Sequence, residues 1–212
     1  PQPNRFFAPG DGMIHGVYVG RAGADMQPAL QTIFRALRTG LQQNPSLFGR
    51  VRLHFIGTDY APGQNGNQTV APVPAAEGVG AVVTESPERV PYFQALGLLE
   101  QADFLVIPGS DDPQYTASKI YPYILARKPM LAVFDRRSSV CEVMRLTRAG
   151  TVVTMEADGS PDPTSQELAA AWTQLLARLP FQPDTNWDAF EPFSAREMTR
   201  RQCNVFDEVV SR

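Results

Sequence analysis

The sequence predicts an α/β fold: a Rossmann-like three-layer sandwich, with a mainly parallel sheet of about six strands and helices on both faces. Three observations predict it. Short apolar runs alternate with longer stretches of helical period along most of the chain. Several of those runs are nearly continuous in Val, Ile, Leu and Phe, as strands covered on both faces must be. Between Phe104 and Val133 the order is apolar run, polar loop, helical pattern, Pro129 and a second apolar run, which is a βαβ crossover.

The elements follow in order. Residues 1–13 are punctuated by Pro1, Pro3, Pro9, Gly10 and Gly12 and read as a linker. Ile14 to Val19 is the first strand, and it ends in Gly20-Arg21-Ala22-Gly23-Ala24-Asp25. A long helix should come next. Asp25 is its expected cap, Pro28 is tolerated in a first turn, and Met26, Ala29, Leu30, Ile33, Phe34, Leu37 and Leu41 share one face. Arg52 to Gly57 is the second strand. Residues 58–78, rich in Gly, Pro, Asn and Gln, read as a mobile loop.

Val79 to Thr84 is the expected third strand, and Ser86-Pro87-Glu88 turns into a helix running through Leu99. Phe104 to Ile107 and Met130 to Phe134 are the fourth and fifth strands. Ser139 and Glu142 have capping-box spacing for the next helix, Gly150 ends it, and Thr151 to Met155 is the sixth strand. After a loop from Glu156 to Pro163, Thr164 and Glu167 repeat the capping pattern ahead of an Ala/Leu-rich helix to Leu179. Residues 180–193 read as irregular, with Phe181, Trp187, Phe190 and Phe193 as aromatic anchors. Ser194 and Glu197 begin a C-terminal helix that reaches Val210.

Composition narrows the function. With 212 residues, 43% of them hydrophobic and 19% charged, the chain can bury a substantial core. A net charge of −3 gives no electrostatic footprint for nucleic acid or an anionic membrane surface. Cys141 and Cys203 stand alone, without disulfide or zinc spacing, so a reducing compartment is expected. No apolar run approaches the roughly 18 residues of a membrane span, and there is no signal-peptide pattern. The chain opens Pro-Gln-Pro-Asn, without Met, and reads as a piece of a longer protein. Its Arg-rich, Lys-poor usage fits a high-GC bacterial source.

Open parallel sheets bind ligands at the carboxyl ends of their strands, near a topological switch point. Gly20–Asp25, Glu85–Val90 and Pro108–Lys119 should therefore share one rim. Of 19 Lys and Arg residues only two are Lys, at 119 and 128. A lysine at the first turn of the crossover helix is a point charge where free N–H groups also point, and that combination suits a phosphate. By position alone, a solvated helix-start lysine reads equally well. Ser110, Tyr115, Thr116 and Ser118 add hydroxyls, with backbone N–H groups from Thr116 to Lys119, and make a diphosphate cradle.

Gly20-Arg21-Ala22-Gly23 is neither a full G-x-G-x-x-G nor a P-loop. It permits close backbone approach, and Arg21 offers a planar fork; the plainer reading is a βα turn with a surface Arg. Asp111 and Asp112 lack further ligands, so no metal is assigned. His15 and His54 read as strand residues of structural or exposed kind rather than as a general base, and no catalytic base is evident.

These residues resemble the C-terminal, donor-binding half of GT-B glycosyltransferases of the retaining group 1/family 4 type. Three stretches carry the resemblance: HGVYVGRAGADMQPALQTIFRAL, RVPYFQALGLLEQADFLVIPGSDDPQYTASKIYPYILARKPMLAV and FSAREMTRRQCNVFDEVV. The resemblance implies a nucleoside-diphosphate-sugar donor with no metal or other cofactor. It implies diphosphate contacts for Arg21 and Lys119 as the catalytic cations, with Gly20 and the loop of Tyr115, Thr116, Ala117 and Ser118 alongside; by position, Ala22, Gly23 and Ser110 join the expected substrate contacts. It puts the base near Glu85, Ser86 and Val90. Residues 14–185 would be the nucleotide-sugar-binding domain and 186–212 a crossover segment and helix. An N-terminal domain would be missing from this chain, together with the acceptor site. The location would be cytoplasmic, with the inner face of the membrane a further placement for the full-length protein.

Two positions depart from the family pattern. Pro122 stands where the family commonly has a ribose-binding Glu, and Gln114 stands at the earlier acidic position. They motivate an alternative reading, a degenerate GT-B domain acting as an interaction or scaffold module. A non-hydrolysing epimerase of similar architecture is a third reading.

Overall fold

The computed structural model describes residues 4–59, 66–112, 114–115, 117–155 and 161–210. Six strands form one sheet: β1 (Ile14–Val19), β2 (Val51–Ile56), β3 (Val83–Ser86), β4 (Phe104–Pro108), β5 (Met130–Asp135) and β6 (Thr151–Met155). All pairings are parallel and the order is β3-β2-β1-β4-β5-β6. The helices are α1 (Gln27–Gln43), α2 (Pro45–Phe48), α3 (Pro72–Ala76), α4 (Tyr92–Gln101), α5 (Ile120–Leu125), α6 (Ser139–Thr147), α7 (Pro161–Arg178), α8 (Trp187–Phe190) and α9 (Ala195–Val210). Among the described residues no helix is long and apolar enough to cross a membrane.

The strand order reverses direction between β1 and β4, which makes that junction the switch point. The central strands are buried from end to end, because helices cover both faces. The long helices α1 and α7 pack together on one side. There Phe34 meets Phe55 edge-on at 5.5 Å, and Trp172 lies between Phe48 and Phe104. Gly16 is required at the β1–β4 contact, since a Cβ there would come within 2.4 Å of the Phe104 ring. The opposite side is covered by α4 and by residues 4–13, whose Phe7 is buried against His15 and His54.

Several boundaries move from their expected places. Asp25 does not cap α1; it sits in a 3-10 turn (Ala24–Met26), and Met26 occupies the cap position. The third strand begins at Val83, because Gly80–Val82 forms a 3-10 turn first. α4 starts only at Tyr92, behind Pro91, since a residue before proline is held extended. The loop assigned to 58–78 contains α3, while residues 60–65 lie outside the described ones.

The cap of α6 is Ser138, whose hydroxyl accepts from Val140 N at 3.3 Å; Glu142 instead pairs with Arg145. α7 begins at Pro161, so Thr164 is a buried helical residue and not a cap. Of the loop expected before that helix, residues 156–160 lie outside the described ones. The segment 180–193 contains α8 and a further 3-10 turn, and its Phe193 stacks on Tyr121 at 5.7 Å. Ser194 caps α9 as expected, accepting from Glu197 N at 3.1 Å.

Candidate functional site

The rim at the switch point is built from the end of β1 and the start of α5. Tyr18 is wholly buried, with its ring against Phe55. A buried tyrosine needs a partner for its hydroxyl. Here the hydroxyl donates to the Arg21 carbonyl at 2.6 Å and accepts from Lys119 Nζ at 2.6 Å. The Lys119 ammonium also lies 4.8 Å over the same ring. One α5 residue fixes the register: the Tyr123 hydroxyl accepts from Val19 N at 2.7 Å and donates to Val19 O at 3.1 Å. α5 is thereby stapled to the last residue of β1, and Lys119 hangs over Gly20.

Gly20 has φ +149°, and a Cβ there would sit 2.6 Å from Lys119 Nζ. Glycine is what lets the amine approach the turn. Arg21 follows, held by two parallel bonds to Asp25 at 2.7 and 2.8 Å and stacked 5.0 Å from the Tyr115 ring. Gly23 leaves room for this pair, since a Cβ would fall 2.4 Å from the guanidinium and 2.5 Å from the carboxylate. Ala22 is buried, and its N–H donates to Thr58 O at 2.9 Å.

The electrostatics are uneven. The Arg21 guanidinium holds the Asp25 carboxyl below its ordinary range, and Asp25 raises Arg21 in return. Lys119 is pushed down to about 8, first by burial and then by the charge of Arg21, with Asp25 opposing. The site therefore carries a cation that burial destabilises, which is the condition a bound anion would relieve.

The buried Ser110 hydroxyl accepts from Asp112 N at 3.0 Å, and Tyr115 N donates to Asp112 O at 3.0 Å. Ala117 is buried, Ser118 is exposed, and Thr116 lies outside the described residues. α5 has six residues, so its dipole is small and the positive charge at the rim resides in Lys119 and Arg21. Pro122 is the third residue of α5; its carbonyl accepts from Ala126 N at 3.0 Å, and its ring offers no acceptor to a ligand.

Glu85 is occupied elsewhere. Its carboxylate accepts from Thr69 N, Val70 N and Ala71 N at 2.7–3.2 Å and from the Thr58 hydroxyl, tying down the entry to α3. Ser86 O accepts from Gly57 N at 2.8 Å, and Val90 is half-buried just before Pro91. A second cleft of about 470 Å³ is lined by Arg21, Ala22, Gly23, Thr58, Asp59 and Thr69. Arg21 and Lys119 are thus brought together with Gly20, Gly23 and Tyr115, whereas Glu85–Val90 lies two strands away.

The sequence reading missed Tyr18, Tyr123 and the partnership of Asp25 with Arg21. Asking where a buried tyrosine hydroxyl would find a partner is the signal that points to the first two.

The sequence matches no protein-family model and no curated protein sequence. The fold, Rossmann-like and all-parallel, is nevertheless similar to part of several solved glycosyltransferases. WaaG, a glycosyltransferase involved in lipopolysaccharide biosynthesis, superposes with a TM-score of 0.57 at 16% identity over 81% of this chain and 40% of that one. A glycosyltransferase from Rickettsia africae gives 0.58 at 12% identity over 94% of this chain and 48% of its own. Anabaena HepE, solved in complex with UDP-glucose, gives 0.55 at 15% identity over 93% of this chain and 49% of its own. The chain spans less than half the length of these neighbours.

Proposed function

We propose that this chain is the donor-binding half of a glycosyltransferase, which moves a sugar from a nucleoside-diphosphate sugar to an acceptor. The observation that carries the reading is the convergence of Arg21 and Lys119 on the glycine turn at the β1/β4 switch point. A diphosphate seated there would meet two cations of different kind. Arg21 presents a plane fixed by Asp25, and Lys119 presents a point charge fixed by Tyr18.

As the glycosidic bond breaks, negative charge grows on the departing diphosphate. Cations already in place stabilise that charge more than they stabilise the intact donor, so they lower the barrier. On this reading no metal is needed. Gly20, Ala22 and Gly23 let the phosphates reach the backbone, and Ser110, Tyr115, Ala117, Ser118 and Pro122 lie on the same rim. The backbone of the Glu85, Ser86 and Val90 segment receives the base. The acceptor site and the second domain belong to a longer, cytoplasmic protein, in line with the share of each neighbour that the chain spans.

Calorimetric titration with UDP, GDP and ADP, with and without Mg²⁺, tests this. One nucleotide should bind without metal, and Arg21→Ala and Lys119→Ala should each weaken it about tenfold or more, as loss of a charge-assisted contact does. Unchanged affinity in both variants would overturn the proposal. Pro122 and Gln114 favour a second reading, a non-catalytic GT-B scaffold, because neither side chain can supply a carboxylate to a donor ribose. A full-length protein that binds a stable partner yet neither hydrolyses nor transfers a donor would decide for it.

A further inference from the structure

Residues 4–13 are anchored onto the sheet by specific contacts. Phe7 stacks on His15 at 4.9 Å and on His54 at 5.0 Å. The two imidazoles meet at 3.0 Å, with Asp11 on the far nitrogen of His15 at 3.1 Å and the Thr84 hydroxyl on that of His54 at 2.9 Å. Asn4 turns the chain by accepting from Phe6 N at 2.9 Å and Phe7 N at 3.2 Å, and it donates to Gln101 at 3.1 Å. These contacts fix the two residues between Asn4 and Phe7.

Those residues are Arg5 and Phe6, and they stand at the rim. The Arg5 guanidinium lies 5.3 Å over the Phe6 ring and 3.9 Å from Glu88, with the Arg5 and Glu88 side chains 66% and 63% exposed. Together with Glu85, Ser86, Pro87 and Glu88 they line a cleft of about 390 Å³ at the end of β3. The Glu85 carboxylate is already taken by the 69–71 backbone, so the open chemistry of the cleft is the Arg5–Phe6 cation–π pair, Glu88 and the main chain. The cleft is tied to the diphosphate rim through successive loops: Ala22 N donates to Thr58 O, Asp59 N to Pro87 O, and Gly57 N to Ser86 O, at 2.8–3.1 Å. Two strand spacings separate β3 from β1, or about 10 Å, which is the reach from a diphosphate across a ribose to its base.

We infer that Arg5 and Phe6 are base-binding residues of the donor site: the planar base of a nucleoside diphosphate stacks on the exposed face of the Arg5 guanidinium, which Phe6 backs. The inference rests on the reading of Arg21 and Lys119 as the diphosphate clamp. A base is favoured over an acceptor sugar because the guanidinium is planar and delocalised, and a flat conjugated ring can cover it as a saturated sugar cannot. Residues that read as a linker in the sequence would then form one wall of the nucleotide site.

The test compares inorganic pyrophosphate with the preferred nucleoside diphosphate in calorimetric titrations of the chain and of Arg5→Ala, Arg5→Lys and Phe6→Leu. Arg5→Ala should weaken the nucleotide about tenfold, the scale of one lost stacking partner. Arg5→Lys, which keeps the charge and loses the plane, should weaken it nearly as much. Phe6→Leu keeps the apolar packing and should weaken it less, with an unchanged melting temperature. Pyrophosphate affinity should be the same in all four proteins.

Nucleotide affinity unchanged in both Arg5 variants would overturn the inference, and so would equal losses for nucleotide and pyrophosphate, which would make Arg5 a general cation. Pyrophosphate binding that survives Arg21→Ala and Lys119→Ala marks failure of the diphosphate clamp instead, and no binding of any diphosphate would overturn both.

Discussion

Replacing Lys119 with methionine should make the protein more stable and a weaker binder of diphosphate. An amine that titrates near 8 in place of the ordinary 10.5 costs the folded chain about 3 kcal/mol while it is protonated. Methionine is close in length and carries no charge to desolvate. The change removes the bond from Lys119 to the Tyr18 hydroxyl, but that hydroxyl keeps the Arg21 carbonyl as a partner. Setting about 1–2 kcal/mol for the lost bond against the relieved desolvation leaves a net gain of about 1–2 kcal/mol. For a chain of this size that is a rise of roughly 2–8 °C in Tm.

The pH dependence supplies an internal control. The folded amine gives up its proton near pH 8, while the unfolded chain keeps it until about 10.5. Over that window the unfolded state binds more protons, so stability of the unsubstituted protein rises with pH. Calorimetric melts should therefore show the variant ahead at pH 7 and the gap closing by pH 10.5. The same variant should bind pyrophosphate at least tenfold more weakly. A variant less stable at pH 7, or a gap that stays constant across the window, would refute the picture of Lys119 as a cation held against its own desolvation.

Gly20→Ala should lower diphosphate affinity at a cost of about 1–3 kcal/mol in stability, because φ +149° is glycine territory and the new Cβ displaces the Lys119 amine; titration and melts on one sample check both. Glu85→Ala should cost about 2–3 kcal/mol and speed amide exchange at residues 69–71, whose N–H groups lose a charged acceptor, with Glu85→Gln intermediate. Burial, with His15 alongside, pushes His54 down to about 4 from its ordinary 6.5, so the folded state takes up its proton later than the unfolded one. Stability should fall by about 3 kcal/mol as pH drops from 6.5 to 4, and a melting temperature flat across that range would show that the imidazole pair is not buried in solution.

The central strands were legible because a strand covered on both faces must be apolar throughout, and 104–107 and 130–134 are. β3 was misplaced for the converse reason. It is an edge strand, paired on one side, so Thr84, Glu85 and Ser86 fit it, while the apolar residues before them form a 3-10 turn. The capping residue of α6 was misread by one position because Ser138 and Ser139 stand side by side, and only the backbone angles choose Ser138. Phe7 read as linker because proline and glycine surround it; its burial depends on His15 and His54, which only the pairing of β1 with β2 brings side by side.

By itself the sequence determined the α/β class, the alternation of strand and helix, and the two cations worth attention, Arg21 next to a glycine turn and Lys119 as one of two lysines. Those properties are local, set by hydrophobic period and by the chemistry of single residues. The tertiary structure decided what those cations touch. Pairing β1 with β4 put the two loops side by side, Tyr123 fixed the height of α5 against Val19, and Tyr18 and Asp25 took up Lys119 and Arg21. The physical reason is separation along the chain. Tyr18 and Lys119 lie 101 residues apart, and local propensity carries no information about a contact that strand order alone creates.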